Sequence, residues 1–312
     1  MNILAWNIRG VANDATIQTL KELRRQHKPD ITLLFETRCS GARALEVIST
    51  LGFKFYFIEE ANGFSGGIWA LWENSNLKMQ VIEKFNQCIH LKIEYSGEKV
   101  WTLSAVYASP QENLRKIFFE NLKDFSKRNK DPWMLIGDFN EIKNEGEKKG
   151  GRQVDMHACR RFRDWMDDCK LLDLGFVGTR FTWKGGQRVG LDRVFKRLDR
   201  AISTSSWRTL FGDARIEVLP RVNSDHHPLL AVLRPEQFDG GEKPFRFEAM
   251  WSIHPDFFQF ISGSWDRKRW LPGALKELAV NLKRWNRNKE KGDLEQTERN
   301  SKSNRLWEES FS

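Results

Sequence analysis

The chain has 312 residues, 40% of them hydrophobic, with a formal net charge of +9 and a pI near 9.4. That length can bury a sizeable core and hold one large domain plus an appendage, and the basic balance points to a polyanionic partner. Four dispersed cysteines (Cys39, Cys88, Cys159 and Cys169) without a CxxC pair argue against structural zinc or a disulfide scaffold, and no apolar run approaches the ~20 residues that span a bilayer.

The chain opens on a predicted strand, Asn2–Ile8, with no signal peptide ahead of it. A helix follows at Thr16–Gln26, with Ile17, Leu20 and Leu23 at helical spacing, then a buried strand at Ile31–Phe35 and a helix at Ala42–Leu51. Strands then dominate: Phe53–Ile58, Gly67–Trp72, Met79–Phe85, His90–Tyr95 and Val100–Tyr107, separated by turn signals such as Asn62-Gly63 and Ser96-Gly97. Asn113–Lys127 reads as a helix with Leu114, Ile117, Phe118, Leu122 and Phe125 on its apolar face. Trp133–Gly137 is a buried strand and Met156–Cys169 a further helix. Short strands around Phe181–Trp183 and Leu198–Ile202, a helical turn near Trp207–Phe211, and strands at Arg215–Leu219 and Leu229–Leu233 complete the pattern. Strands and helices mixed in this way predict two packed sheets flanked by helices.

Near Pro235 the composition shifts. Pro235–Lys243, with Gly240-Gly241, reads as a linker, which sets the expected domains at 1–235 and 236–312. The second begins Phe245-Arg246-Phe247-Glu248-Ala249-Met250-Trp251, has a plausible amphipathic helix at Leu275–Trp285, and ends in the charged, apolar-poor stretch Arg287–Arg305.

Polar residues recur where buried strands end. Asn7 lies in Ala5-Trp6-Asn7-Ile8-Arg9-Gly10, and Glu36 follows Leu33-Leu34-Phe35. Asp138 and Asn140 lie in Leu135-Ile136-Gly137-Asp138-Phe139-Asn140, and Asp225 and His226 in Ser224-Asp225-His226-His227-Pro228. Carboxylates, amides and one imidazole gathered at one sheet edge suit a hard cation and an activated water. Each piece has a structural alternative: a buried hydrogen-bonding Asn7, a turn at Gly137–Asn140, an ion pair of Asp199 with Arg197 or Arg200.

The ordered series Asn7, Glu36, Tyr107, Gly137-Asp138-Phe139-Asn140, Arg197-Leu198-Asp199 and Ser224-Asp225-His226 resembles the endonuclease/exonuclease/phosphatase superfamily over about Met1–Pro235. Further detail resembles the endonuclease domain of plant-type non-LTR (LINE) retrotransposons: Trp6–Gly10, Tyr107-Ala108-Ser109-Pro110, Gly146–Arg152, Phe181-Thr182-Trp183 and Arg197-Leu198-Asp199-Arg200. Phe245–Trp251 with His254-Pro255 resembles the linker before their reverse transcriptase, so residues 236–312 are expected to be that linker and a charged tail.

The resemblance implies a DNase I-like four-layer α/β sandwich and a Mg²⁺-dependent (Mn²⁺ also serving) endodeoxyribonuclease. It would nick double-stranded DNA, leave a 3′-hydroxyl and act in the nucleus or cytoplasm, without a membrane. Element RNA and reverse transcriptase would be partners only within a full-length element. On the resemblance, Glu36 and Asp225 hold the metal, Asp138 positions or deprotonates the attacking water, and Asn140 binds the scissile phosphate. Tyr107 donates to that phosphate, His226 binds it or transfers a proton, Asp199 orients His226, and Asn7 completes the site. His227 is expected to be structural.

In abasic-site endonucleases an acidic residue stands two positions after the Asn; here Arg9 does. That speaks against the alternative of an abasic-site or exonuclease III-like repair enzyme. A catalytically inactive DNA-binding module is the alternative outside enzymes. The basic loops supply the expected DNA contacts. These are Arg9, Lys148, Lys149 and Arg152, with Arg160, Arg161 and Arg163 on the next helix, and the hairpin residues Arg180, Trp183, Lys184 and Arg188.

Overall fold

The most apolar runs of the sequence become the central strands. Strand β1 (Asn2–Asn7) pairs in parallel with β2 (Ile31–Phe35), from Ile3↔Ile31 to Asn7↔Phe35, across helix α1 (Asp14–His27). Asn13 caps α1, its side chain accepting from Thr16 N at 2.7 Å, and Lys28 closes it in the left-handed conformation. Helix α2 (Gly41–Leu51) leads into the hairpin of β3 (Phe55–Asn62) and β4 (Ser65–Trp72), which turns where Asn62-Gly63 predicts.

The computed structural model describes residues 1–234 except 64, 86, 96–98 and 187–191, and then 256–265, 273–275, 277–282 and 284–285. Strands β5 (Leu77–Phe85), β6 (Cys88–Tyr95) and β7 (Trp101–Tyr107) form a meander, and helix α3 (Glu112–Arg128) crosses to β8 (Trp133–Asp138), parallel to β7. Then come β9 (Lys148–Lys149), α4 (Met156–Asp168), β10 (Leu171–Asp173), β11 (Val177–Gly178), β12 (Trp183–Lys184), β13 (Phe195–Lys196), β14 (Asp199–Thr204), α5 (Ser205–Leu210), β15 (Arg215–Val218) and β16 (Leu229–Val232). One sheet has the order β11-β15-β16-β1-β2-β4-β3, the second β10-β14-β8-β7-β6-β5, and a small third β12-β13-β9.

The two large sheets pack face to face through Ile3, Leu33, Phe35 and Ile68 on one and Leu91, Leu103, Met134 and Ile136 on the other. Helices α1 and α2 cover the outer face of the first sheet through Trp6, Leu20, Leu34, Val47 and Trp69. Helices α3 and α4 cover the second through Phe118, Leu122, Phe139, Phe162 and Trp165. Each such side chain contributes about 1.5–3 kcal/mol on burial. The result is the four-layer α/β sandwich that the resemblance implies.

Two expectations change. On α3, Leu114 and Ile117 are 45% and 60% exposed, while Phe118, Leu122 and Phe125 are buried. Ile117 lies about 100° around the helix from Phe118, and Leu114 sits in the first turn at the end of the covered stripe. The predicted strand at Phe181–Trp183 shrinks to Trp183–Lys184 because Thr182 is tied by its side chain instead: its hydroxyl accepts from Leu198 N and Asp199 N at 3.0 and 2.9 Å.

By contacts the chain divides into Met1–Glu236 and Gln237–Ser312. In the second unit, helix α6 (Phe257–Ser264) sets Phe257 against Leu282, with Phe260, Ile261, Leu278 and Trp285 around them. The expected Leu275–Trp285 helix is helical at 275, 277–282 and 284–285. The Ser96-Gly97 turn, the linker Pro235–Lys243, Phe245–Trp251, His254-Pro255 and Arg287–Arg305 lie outside the described residues. All four cysteines are buried and unpaired. Among the described residues no helix is long and apolar enough to cross a membrane.

Candidate active site

Parallel pairing sets the C-terminal ends of β1 and β2 side by side, and likewise those of β7 and β8. Strands β14 and β16 run antiparallel to β8 and β1, so their N-terminal ends join the same edge. Asp138 is in register with Tyr107 on one neighbour and Asp199 on the other. Asn7 reaches across from the first sheet and donates through Nδ2 to Asp138 Oδ2 at 2.9 Å.

His226 is held between two carboxylates. Its Nδ1 is 2.9 Å from Asp199 Oδ2 and its Nε2 is 3.8 Å from Asp138 Oδ2. Trp6 Nε1 donates to the His226 carbonyl at 3.3 Å, and the hydroxyl of Ser224 ties the segment to β1 by donating to Asn7 O at 2.8 Å. Burial disfavours the His226 cation, but Asp199 and Asp138 outweigh it and raise its pKa to about 9. Burial pushes the Asp138 carboxyl up to about 7, the charge of His226 opposing and that of Asp199 adding. Burial, with Glu36 and Asp138 nearby, keeps Tyr107 protonated far above its ordinary range, so its hydroxyl is a donor at any working pH.

The alternative partners of Asp199 are occupied elsewhere. Arg197 and Arg200 both pair with Glu147 and Asp173 at 2.8–3.2 Å, a buried network that pins the loop after β8. Asp138 and Asn140 do meet, but not as alternate residues of an extended strand. Asn140 is left-handed (φ +48°), and its backbone N–H donates to Asp138 Oδ1 at 2.9 Å. Its side-chain Nδ2 donates to Ala108 O at 2.8 Å and Asp138 Oδ2 at 3.2 Å. Both amide hydrogens of the Asn140 side chain are thus engaged, one of them with Asp138.

Glu36 and Asp225, the expected metal ligands, meet around a guanidinium. Arg9 Nη1 donates to Asp225 Oδ2 at 2.5 Å and Arg9 Nε lies 3.8 Å from Glu36 Oε2; Arg38 pairs with the other oxygen of Glu36. Trp183 Nε1 donates to Asp225 Oδ2 at 3.0 Å. His227 turns the other way, with Nδ1 donating to Leu219 O at 2.8 Å.

A fit to a divalent cation can be judged from the oxygens. Asn7 Oδ1 and Asp225 Oδ1 are buried acceptors without a hydrogen-bond partner among the described residues. They and the Glu36 carboxylate, which meets Asp225 around Arg9, are hard oxygen donors of the kind Mg²⁺ takes. Asp138, Asp199 and His226 place one donor atom each within 4.8 Å of one another, but His226 and Asp199 are committed to each other.

The site opens into a cleft of about 340 Å³ lined by Arg9, Glu36, Tyr107, Asn140, Trp183 and His226, together with Arg115, Glu141 and Lys196. A neighbouring cavity of about 450 Å³ is lined by Lys148, Arg152, Trp183 and again Lys196. Lys196 was not among the residues expected from sequence. Nothing local marks it, since the β12-β13-β9 pairing brings it there. Arg38 was also missed, although its spacing from Glu36 is a usable signal. Of the other expected DNA contacts, Lys149 is exposed on β9, Lys184 follows Trp183 on β12, and Arg180 lies at the surface near Gly146 O. Arg188 lies outside the described residues.

The profile of the endonuclease/exonuclease/phosphatase family matches residues 4–226. No curated protein sequence matches the chain. Solved structures do. The endonuclease domain of TRAS1, a telomere-specific non-LTR retrotransposon, aligns with a TM-score of 0.56 at 16% identity, over 76% of this chain and 99% of that one. The AP endonuclease LMAP from Leishmania major aligns with a TM-score of 0.58 at 15% identity, over 74% and 86%. The catalytic domain of Xenopus laevis APE2 aligns with a TM-score of 0.54 at 17% identity, over 74% and 91%. At these identities the likeness is one of fold.

Proposed function

The chain belongs to the endonuclease/exonuclease/phosphatase family, and from that premise we propose that it is a Mg²⁺-dependent endonuclease that nicks double-stranded DNA and leaves a 3′-hydroxyl. The observation that carries this reading is the line Asn7–Asp138–His226–Asp199, which joins both sheets at one edge. Asp138, with its carboxyl raised toward neutrality, takes a proton from the attacking water. Asn7 and Asn140 fix its orientation. His226, cationic at neutral pH, offsets the charge that builds on the phosphoryl oxygens, and Asp199 holds its ring. Tyr107 donates to the same oxygens. Glu36, Asp225 and Asn7 Oδ1 would hold the divalent ion, which supplies electrophilic stabilisation of the phosphate when bound.

For substrate, Lys148, Arg152 and Lys196 beside the cleft suit a phosphate backbone. The retrotransposon-like motifs around Asn7, Tyr107 and Asp199 favour intact duplex as target, with the 3′-hydroxyl serving as primer in an element. The test is supercoiled plasmid with Mg²⁺ beside an oligonucleotide carrying one abasic site. Nicking of the plasmid without a large preference for the abasic site is expected. Cleavage confined to the abasic oligonucleotide sinks the retrotransposon reading in favour of repair, and no cleavage of either sinks the nuclease reading.

A further inference from the structure

Arg9 sits where a divalent ion would have to compete with it. Its guanidinium contacts Asp225 Oδ2 at 2.5 Å and approaches Glu36 Oε2 at 3.8 Å, bridging two carboxylates that come from opposite ends of the domain's sequence. The placement is set by the backbone. Arg9, Glu36 and Arg38 all have positive φ, at +53°, +54° and +51°. The pairing of β1, β2 and β4 continues past the strand ends to hold them there: Gly10 N donates to Glu36 O at 2.9 Å, Val11 N to Thr37 O at 3.0 Å and Arg38 N to Gly66 O at 3.1 Å. Non-glycine residues in this region cost strain, and such residues cluster where the surrounding structure must aim a side chain.

Arg9 is also the most solvent-accessible of the three. Its side chain is 43% exposed against 12% for Glu36 and 25% for Asp225. Like charges a few ångströms apart repel strongly at a site of low effective dielectric, so a divalent ion on Glu36 and Asp225 is disfavoured while the guanidinium stays. A phosphodiester offers the guanidinium an equivalent bidentate anion within the same cleft.

Resting on the nuclease reading above, we propose that Arg9 is an internal counter-cation which couples metal binding to DNA binding. In the free protein it neutralises Asp225 and shares Glu36 with Arg38, and it transfers to a backbone phosphate when duplex enters, releasing Asp225 and Glu36 Oε2 to the ion while Arg38 keeps Glu36 Oε1. By linkage the coupling is reciprocal: duplex strengthens metal binding by the factor that metal strengthens duplex binding.

The test is Mn²⁺ binding to the full chain, followed by the electron paramagnetic resonance of free Mn²⁺, with and without a short duplex. Arg9→Asn removes the charge while tolerating the left-handed backbone. For the wild type, duplex should tighten Mn²⁺ binding by about tenfold or more, within the usual range of coupling between sites. In Arg9→Asn without DNA, Mn²⁺ should bind about tenfold more tightly than to the wild type, and added duplex should change that affinity little. Equal or weaker Mn²⁺ binding by a folded Arg9→Asn overturns the proposal. So does a wild-type affinity indifferent to duplex, which needs no variant at all. If the protein nicks plasmid with Mg²⁺ and yet shows either result, only the role of Arg9 fails. If no form binds Mn²⁺ or nicks DNA, the nuclease reading fails and this inference with it.

Discussion

His226 and His227 are neighbours with opposite surroundings, and they make the sharpest test at the residue scale. His226 lies between Asp199 and Asp138, whereas His227 Nδ1 donates to a backbone carbonyl. His226→Ala should lower the nicking rate by about two to four orders of magnitude, the scale of one positioned acid–base or electrostatic group. Duplex affinity should fall far less, since it rests on many phosphate contacts. His227→Ala should leave the rate nearly unchanged. Rates from single-turnover nicking with both variants check the assignment, and the reverse ranking transfers it to His227. The partner of Asp199 was open in the sequence, which places Arg197 and Arg200 on either side of it. Both guanidiniums turn to Glu147 and Asp173, because these carboxylates are buried beside them.

At the scale of elements, β8 shows why one glycine cannot be replaced. Gly137 has φ +144°, and a Cβ there would lie 2.0 Å from Val106 O on the adjacent β7 and 2.9 Å from the ring of Phe35 in the facing sheet. The strand that delivers Asp138 therefore depends on close approach of the β7 backbone and the Phe35 ring. Gly137→Ala should destabilise the protein by about 3 kcal/mol or more, read from urea unfolding, with wild-type-like stability refuting the crowding.

On β6, His90 is fully buried, its Nδ1 2.6 Å from Ser104 Oγ and its ring stacked on Phe125 at 3.7 Å between centroids. Burial, with Arg128 nearby, lowers its pKa to about 3. An unfolded histidine titrates near 6.5, so between those values the unfolded chain binds a proton that the folded chain refuses. Stability contributed by neutral His90 is present above that window and is lost as pH falls through it. From pH 7 to pH 5 the loss is about 2 kcal/mol. Denaturant unfolding of the wild type and His90→Gln at both pH values checks this: the difference between pH 7 and pH 5 should shrink by that amount in the variant, and an equal loss in both counts against it.

For the whole molecule, the contacts divide the chain after Glu236, and β16 ends at Val232 with Leu233 N bonded to Met1 O at 2.9 Å. The first unit therefore closes on its own N-terminus. A chain ending at Glu236 should fold and nick plasmid at a rate within about threefold of the full chain, in keeping with a domain that has its own core. Insoluble or inactive products from several cut points around Glu236 would show that the second unit completes the first.

What the sequence determined by itself is what depends on local order. Period-2 and period-3.6 patterning predicts Ile31–Phe35 residue for residue and most other strands and helices to within a few positions. Short apolar runs predict that Asn7, Glu36, Tyr107 and Asp138 come at strand ends. A strand end is a local property, because the run that is buried must stop where the chain meets polar surroundings. Partner choice is different. Asn7 meets Asp138 across 131 positions and Arg9 meets Asp225 across 216. No window of sequence contains both members: the packing of one sheet on the other sets the first distance, and the antiparallel pairing of β1 with β16 sets the second. Strand pairing within the sheets leaves Asn140 donating to Asp138 and Ala108 beside β7, closes Arg9 over Glu36 and Asp225 at the ends of β1, β2 and β16, and carries Lys196 to the mouth of the cleft through β12-β13-β9. Residue types announce that polar chemistry gathers at one edge; tertiary structure decides which hydrogen bond or ion pair each group has already made, and so what it has left to offer.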